Sequence, residues 1–496
     1  MSFSNNFDNH NTILVYQNGI AIYPYIKGQC PELENICSYY DKVYHKRNFT
    51  TGFPIEKDCC FLSHYVSLSK LKAWFPNYKV IKMHPFRRSN MESRLKDTVK
   101  LRDNQVDIMT RLIGNKSREV FLNVPTAFGK TFLGVSFSLH LRTKTLVVCK
   151  SLKILRQWKE TIDKISTAGS SRVLHLSGSD VIKKLINGKL RQDDYDFFLA
   201  TPATISSFAK SNSWYEFSTL IDDIGIGLKI IDEAHLNLGS TVKLNATTNI
   251  AHTLYLSADA TRGNLNASRA FTDVFYNVPM LRLNDDEFNK LRHIIATFVT
   301  YDSNPKAGDL MQIQGGKYNW SHTEYAKYQW NKGLTTMYIC RIIDQILHAN
   351  PDGVHYKILV LLYTIDHTDS LTSYLAERYK DILSVGRFHS KVDDDEKEAT
   401  LKSDVIVSIY GSFGIGVDVV DPEIRYVIST VPIDMVNSNQ AAGRCRPIEG
   451  LNSFVWMLYD TGFTYCQAKM NRVANSLKGS KVKDMFVLKM DDKEVE

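Results

Sequence analysis

Phe121-Leu122-Asn123-Val124-Pro125-Thr126-Ala127-Phe128-Gly129-Lys130-Thr131 runs directly into an apolar stretch at 132–141. An apolar approach, a turn ending in Gly-Lys-Thr and a helix-length apolar segment together read as strand, phosphate loop and helix. Backbone N–H groups of such a turn, and the positive end of the helix behind it, favour polyphosphate. Lys130 then supplies a point charge to the β and γ oxygens, and Thr131 a hydroxyl for Mg²⁺. Pro125, Thr126, Ala127, Phe128 and Gly129 form the loop itself. The full pattern G-x-x-x-x-G-K-[ST] asks for glycine at 124, where this chain carries Val124.

Residues further along the chain decide whether the loop is chemical or merely a corner. After the apolar run 229–231 stands Asp232-Glu233-Ala234-His235. Two adjacent acids at the carboxyl end of a strand, downstream of a phosphate loop, suit nucleoside triphosphate hydrolysis. One carboxylate holds Mg²⁺ and the next polarises the attacking water.

Alternating apolar runs and helix-length stretches extend from this pair in both directions. Runs at 120–124, 145–149, 173–176, 197–200, 229–231 and 253–256 predict a parallel sheet with helices on both faces over residues 98–283. Ligands of such a sheet sit at the carboxyl ends of its strands. Runs at 294–299, 358–362, 405–408, 426–429 and 454–459 predict a second sheet of the same kind over 284–465. Within it, 301–317 reads as a loop and 323–348 as one helix-length stretch. Residues 1–97 predict a small α+β module, with strands at 12–16, 20–25 and 78–83 and a helix at 67–75. Residues 466–496 read as a lysine-rich tail with helical spacing to 477.

Composition bounds the class. A chain of 496 residues exceeds one core, and roughly three or four domains are expected. Hydrophobic content of 44% with 23% charged residues is that of a globular protein. The net charge of +8 leans towards a polyanionic partner. From Lys79 to Arg102 eight Lys or Arg, Arg87 and Arg88 among them, face two acids, Glu92 and Asp97. Cations interleaved with aromatic residues can grip phosphates and stack on bases, so this segment is a candidate nucleic-acid contact. None of the eight cysteines forms a C-x-x-C pair, which suits a reducing compartment. Cys30, Cys37, Cys59 and Cys60 cluster but lack zinc-finger spacing. The first six residues have neither a basic nor an apolar leader region, and the longest clean apolar run is of strand length. Neither a secretory leader nor a membrane span is expected.

Further motifs keep the order. Leu101-Arg102-Asp103-Asn104-Gln105 precedes the loop, with Gln105 suited to an adenine edge. Lys150-Ser151, Thr201-Pro202-Ala203-Thr204 and Ser257-Ala258-Asp259-Ala260-Thr261-Arg262 come after strands of the first sheet. Val407 to Asp418 and Gln440-Ala441-Ala442-Gly443-Arg444-Cys445-Arg446 lie in the second half. This ordered set resembles the superfamily 2 helicases over about residues 100–460, and within them the phage UvsW-type helicases that remodel branched DNA.

The resemblance implies an α/β fold of two tandem RecA-like domains, with ATP bound in the cleft between them, beside the small N-terminal module. It implies that Arg102 and Gln105 bind nucleotide, that Lys130 and Thr131 bind phosphate and Mg²⁺, and that Asp232 holds the metal with Glu233 as base. Gly416 and Asp418 would sense nucleotide, Gln440 would face the γ-phosphate, and Arg444 or Arg446 would be the arginine finger. Lys150, Ser151, Thr201 and Thr204 would touch nucleic acid from the first domain, and Thr364, His389 and Ser412 from the second. Asp259 stands where the family has Ser or Thr, and Pro447 where it has a second arginine.

The expected function is an ATP-dependent DNA helicase or translocase acting on forked or junction DNA in the cytoplasm (of the host if phage-encoded), with the oligomeric state open and a monomer favoured. An RNA helicase or viral transcript-release ATPase shares the same motor. A non-catalytic clamp or a restriction-system motor subunit is the third reading. Intact Lys130, Asp232 and Glu233 weigh against the clamp, and the lack of a second acidic cluster weighs against the restriction subunit.

Overall fold

The apolar runs of the central region become strands buried on both faces, as parallel strands under helices must be. The computed structural model describes residues 11–490 except 36–37, 48–53, 64–65, 84–88, 126–127, 212–213, 258–264, 315–319, 352, 415–423, 433–437, 439–440, 446, 449 and 479–480. The chain forms two compact units, Met1–Leu283 and Asn284–Glu496.

The first unit holds two sheets. The smaller comprises β1 (Thr12–Val15), β2 (Gly19–Tyr23), β3 (Ser38–Arg47), β4 (Pro54–Ser63) and β5 (Lys79–Lys82), in the order β3-β4-β2-β1-β5. Only β1 and β5 pair in parallel. Side chains alternate across it with the period of two that a strand imposes. One face sends Ile13, Ile20, Ile22, Cys60 and Leu62 against Leu71 and Phe75 of the helix Leu68–Trp74 and its end. The other sends Leu14, Tyr16, Tyr23, Cys59 and Phe61 into the core of the larger sheet. Each such side chain contributes roughly 1.5–3 kcal/mol by leaving water. Cys59 and Cys60 therefore point to opposite faces, which does not suit a shared metal.

Polar contacts fasten the same seam. Asn18 Nδ2 donates to Thr253 Oγ1 at 2.6 Å, and Gln17 Nε2 donates to the Ala251 carbonyl at 3.1 Å. A side chain at Gly19 would meet the Ala246 amide nitrogen at 2.7 Å, so the β1–β2 turn can approach this closely only with glycine.

The larger sheet comprises β6 (Glu119–Asn123), β7 (Thr145–Val148), β8 (Val173–His175), β9 (Phe197–Ala200), β10 (Leu228–Ile231), β11 (His252–Ser257) and β12 (Met280–Arg282). Its order is β12-β6-β11-β10-β7-β9-β8, with every pair parallel. The phosphate loop leaves β6 and the acidic pair leaves β10, with β11 between them. The stretch ahead of this sheet is clamped to it. Asp196 is fully buried and accepts from Ser93 N at 3.0 Å and Arg172 Nε at 2.8 Å. Burial alone would raise its pKa, but Arg172 and Ser93 outweigh that and hold it low. Lys96 spends its ammonium on the carbonyls of Asp163 and Lys164. Arg87 and Arg88 lie outside the described residues.

The second unit holds β13 (Ile294–Tyr301), β14 (Lys357–Leu362), β15 (Val385–Phe388), β16 (Val405–Ile409), β17 (Ile424–Ser429), β18 (Ser453–Asp460) and β19 (Val482–Lys489). The order is β15-β16-β14-β17-β18-β13-β19, again all parallel. Both units thus have the RecA-like architecture. Three expectations change here. The loop at 301–317 contains a helix, Ala307–Gln314. The stretch at 323–348 is two helices, His322–Asn331 and Leu334–His348, broken at Gly333, whose φ of +71° leaves the helical region. The tail forms the helix Thr464–Leu477 and then β19, which extends the sheet beside β13.

Candidate nucleotide site at the carboxyl ends of β6 and β10

The phosphate loop is shaped by two side chains that arrive from upstream. Gln105, 5% exposed, donates from Nε2 to the Phe128 carbonyl at 2.8 Å, and Arg102 Nη2 donates to the same oxygen. The Arg102 guanidinium also lies 5.9 Å from the Phe128 ring centroid, and burial draws its pKa down. Gln105 Oε1 in turn accepts from Arg102 N at 3.1 Å, which fixes the start of the helix Asp103–Gly114. Gly129 sits at φ +98°, and a side chain there would meet Gln105 Nε2 at 2.5 Å. Only glycine satisfies both the backbone angle and that approach. Val124, at the position where the pattern expects glycine, is buried and donates its N–H to the Ser257 carbonyl at 3.2 Å, so it prolongs strand pairing. Thr126 and Ala127 lie outside the described residues.

Lys130 and Thr131 open the helix Lys130–Leu141, whose first N–H groups have no partner within the helix. Lys130 Nζ lies 3.2 Å from Glu233 Oε1. Glu233 reaches it from an unusual backbone, at φ +49°. Its other oxygen lies 3.3 Å from His235 Nδ1, which is also 2.7 Å from Ser257 Oγ. A continuous polar line therefore joins the loop lysine, the acidic pair and the end of β11.

Asp232 is held on both oxygens. Glu233 N donates to Oδ1 at 3.0 Å and Trp158 Nε1 donates to Oδ2 at 2.9 Å. Burial and then the neighbouring Glu233 charge push its pKa up, against the pull of Lys130. A half-buried carboxylate with both oxygens oriented, on the strand end that also carries the partner of Lys130, fits a Mg²⁺ site that Thr131 would complete. Such sites take one or two protein oxygens and leave the rest to phosphate and water. Among the described residues no group of three or more His, Cys, Asp or Glu gathers as a metal cluster.

Trp158 ends the sequence motif Arg156-Gln157-Trp158, but its part as a donor to Asp232 is visible only in space. It is fully buried on the helix Leu152–Ile165, and its ring fits against Gly134, where a side chain would meet Trp158 Cη2 at 2.7 Å. Trp158→Phe keeps most of the volume and removes the donor. It is expected to raise the Mg²⁺ concentration for half-maximal ATP turnover by about tenfold, as loss of an outer-shell partner does. An unchanged Mg²⁺ titration would count against this orienting role.

The remaining first-unit candidates cap helices. Ser151 Oγ accepts from Ile154 N at 3.4 Å, and Thr201 Oγ1 accepts from Thr204 N at 3.1 Å. Lys150 is exposed. In the second unit Thr364 caps the helix Ile365–Arg378, and His389, buried, bonds Asp369 Oδ1 from Nε2 at 2.8 Å. Ser412 lies in the wide helical turn Tyr410–Gly414. Arg444 is half-buried in a turn, its N–H donating to the Ala441 carbonyl. Gly416, Asp418, Gln440, Arg446 and Asp259 lie outside the described residues.

Residues 98–261 match the family described as "Type III restriction enzyme, res subunit". The first unit carries a superfamily 2 helicase ATPase domain. The matched segment runs from the end of the basic stretch to just past β11, and it contains the loop, the acidic pair and the strands that place them. Relatives match within the same chain. It is 24% identical over 151 residues, 30% of its length and 24% of the relative's, to the general transcription and DNA repair factor IIH helicase/translocase subunit XPB of Enterocytozoon bieneusi. It is 22% identical over 245 residues, 48% of its length and 23% of the relative's, to the TFIIH helicase/translocase XPB subunit of Trypanosoma brucei brucei. A putative helicase of Invertebrate iridescent virus 6 is 36% identical over 64 residues, 12% of this chain and 14% of that one. The chain spans about a quarter or less of the length of these curated relatives.

Proposed function

We propose that the chain is an ATP-dependent DNA helicase or translocase that unwinds or branch-migrates forked and junction DNA in replication, recombination or repair. The observation that carries the reading is the Lys130–Glu233 ion pair beside the half-buried, doubly oriented Asp232. DNA as the partner is supported by the relatives named as DNA repair helicase/translocase subunits. The likeness to UvsW-type enzymes of branched DNA rests on the small N-terminal sheet and the short second unit. Among the described residues no helix is long and apolar enough to cross a membrane.

The chemistry comes from the residues. Lys130 binds the β and γ oxygens as a point charge, and the N–H groups that open its helix add to that pull. Thr131 and Asp232 would hold Mg²⁺, which when bound neutralises charge on the same oxygens. Phosphate draws Lys130 away from Glu233, which frees that carboxylate to take a proton from the attacking water. His235 keeps Glu233 aimed and ties its position to the end of β11, so nucleotide state is relayed to the segment after Ser257. Backbone contacts supply most of the grip on DNA, and little base sequence is read.

The test is strand displacement with ATP on forked duplex, a four-way junction, blunt duplex and RNA duplex. Forked and four-way substrates are expected to open, and Lys130→Ala to open none. Opening of RNA alone would replace the DNA reading with an RNA motor, and opening of nothing would overturn both.

A further inference from the structure

Five aromatic rings line one end of the second unit. Tyr363 comes straight after the last residue of β14 and directly precedes Thr364, the N-cap of the helix Ile365–Arg378. Its ring stacks on His322 with centroids 5.3 Å apart and planes 28° apart, yet 38% of the residue remains exposed. His322 opens the helix His322–Asn331 and is itself held, because Trp320 Nε1 donates to His322 Nδ1 at 3.3 Å. Trp320 stacks on Tyr465 at 4.2 Å and 10°, and meets Phe463 edge-on at 5.6 Å. Lys469 Nζ lies 5.4 Å from the Tyr465 ring centroid.

We propose that Tyr363, backed by His322, is a stacking platform for unpaired bases of a single strand. The proposal rests on the nucleic-acid motor reading and names a contact within it. A ring fixed by a stack and a hydrogen-bonded neighbour loses little freedom when a base settles on it. Tyr363 is exposed, and its neighbours His322, Trp320 and Tyr465 are partly exposed with it, so the rings form one contiguous aromatic patch and not a lone surface side chain. The ring sits at the carboxyl end of a parallel strand, where ligands of such sheets bind. Lys469 and the net charge of +8 favour a polyanion over a basic or apolar partner. Stacking also tolerates any base, in keeping with a motor that must track arbitrary sequence.

The experiment compares full-length wild type with Tyr363→Ala, Tyr363→Leu and Tyr363→Phe, binding a labelled oligo(dT) and an abasic strand of equal length. Wild type and Tyr363→Phe are expected to prefer oligo(dT) to the abasic strand by about tenfold or more. Tyr363→Ala and Tyr363→Leu are expected to lose that preference while holding the abasic strand as wild type does. The same loss of affinity for both probes, or an unchanged preference in the Leu variant, overturns the platform and leaves the motor reading standing. Failure of wild type to bind either strand overturns both.

Discussion

Glu233→Gln is expected to lower ATP turnover by about 10²–10⁴-fold, the range for loss of a general base. Nucleotide affinity is expected to hold or to tighten. Lys130 is paired with Glu233 at 3.2 Å, so nucleotide must compete with that carboxylate for the ammonium. A neutral glutamine removes the competitor and keeps the shape. Equilibrium binding of a fluorescent ATP analogue, measured beside single-turnover hydrolysis, separates the two effects. Weaker binding together with slower hydrolysis would mean that Glu233 holds the loop in place rather than activating water.

Lys130→Ala is expected to cost about 10²–10³-fold in turnover, the range for one lost charge-stabilising donor. It differs from the first variant in the sign of its effect on affinity, which is expected to fall because the point charge on the β and γ oxygens is gone. It also has a consequence for pH. Burial and Glu233 already raise the Asp232 pKa, and Lys130 is the counter-charge that opposes them. Without Lys130 the pKa rises further. The neutral acid then persists to higher pH, and the Mg²⁺ requirement at mildly acid pH grows more than at alkaline pH. Mg²⁺ titrations of residual activity at two pH values read this directly, and parallel curves for variant and wild type would refute the coupling.

The two variants also show which parts of the site were readable along the chain. Lys130, Asp232 and Glu233 were legible because their chemistry is local: a turn, a helix start and a strand end each announce themselves within a few residues. The parts of Trp158, Gly134 and Ser257 were not, because they depend on which strands lie side by side. The order β6-β11-β10 brings Ser257 between the loop and the acids, and no spacing in the chain encodes that order. Gln105 was legible as a motif residue ahead of the loop, but its bond to the Phe128 carbonyl needed the fold to bring the two together.

The sheets obey the same logic. Strands with uninterrupted apolar runs, such as β7, β9 and β14, were plain because both faces are buried. β15 reads Val-Gly-Arg-Phe, and only Phe388 of it is buried, so its pattern is too weak to stand out. β19 is an edge strand with Phe486, Val487 and Leu488 exposed, and its residues lack the alternation that marks a half-buried strand. The break at Gly333 was hidden because apolar residues continue with helical spacing on either side of it. The core shared by the small N-terminal sheet and the larger one was equally invisible, since alternating side chains say that two faces are covered but not by what.

The most direct test of the central claim is steady-state ATP hydrolysis by the full chain without nucleic acid, with single-stranded DNA and with forked DNA, each alongside Lys130→Ala. An ATP-driven DNA motor predicts turnover that rises strongly with DNA, most with the fork, and that falls by about 10²–10³-fold in the variant. Turnover indifferent to DNA, or equal in wild type and Lys130→Ala, would contradict it.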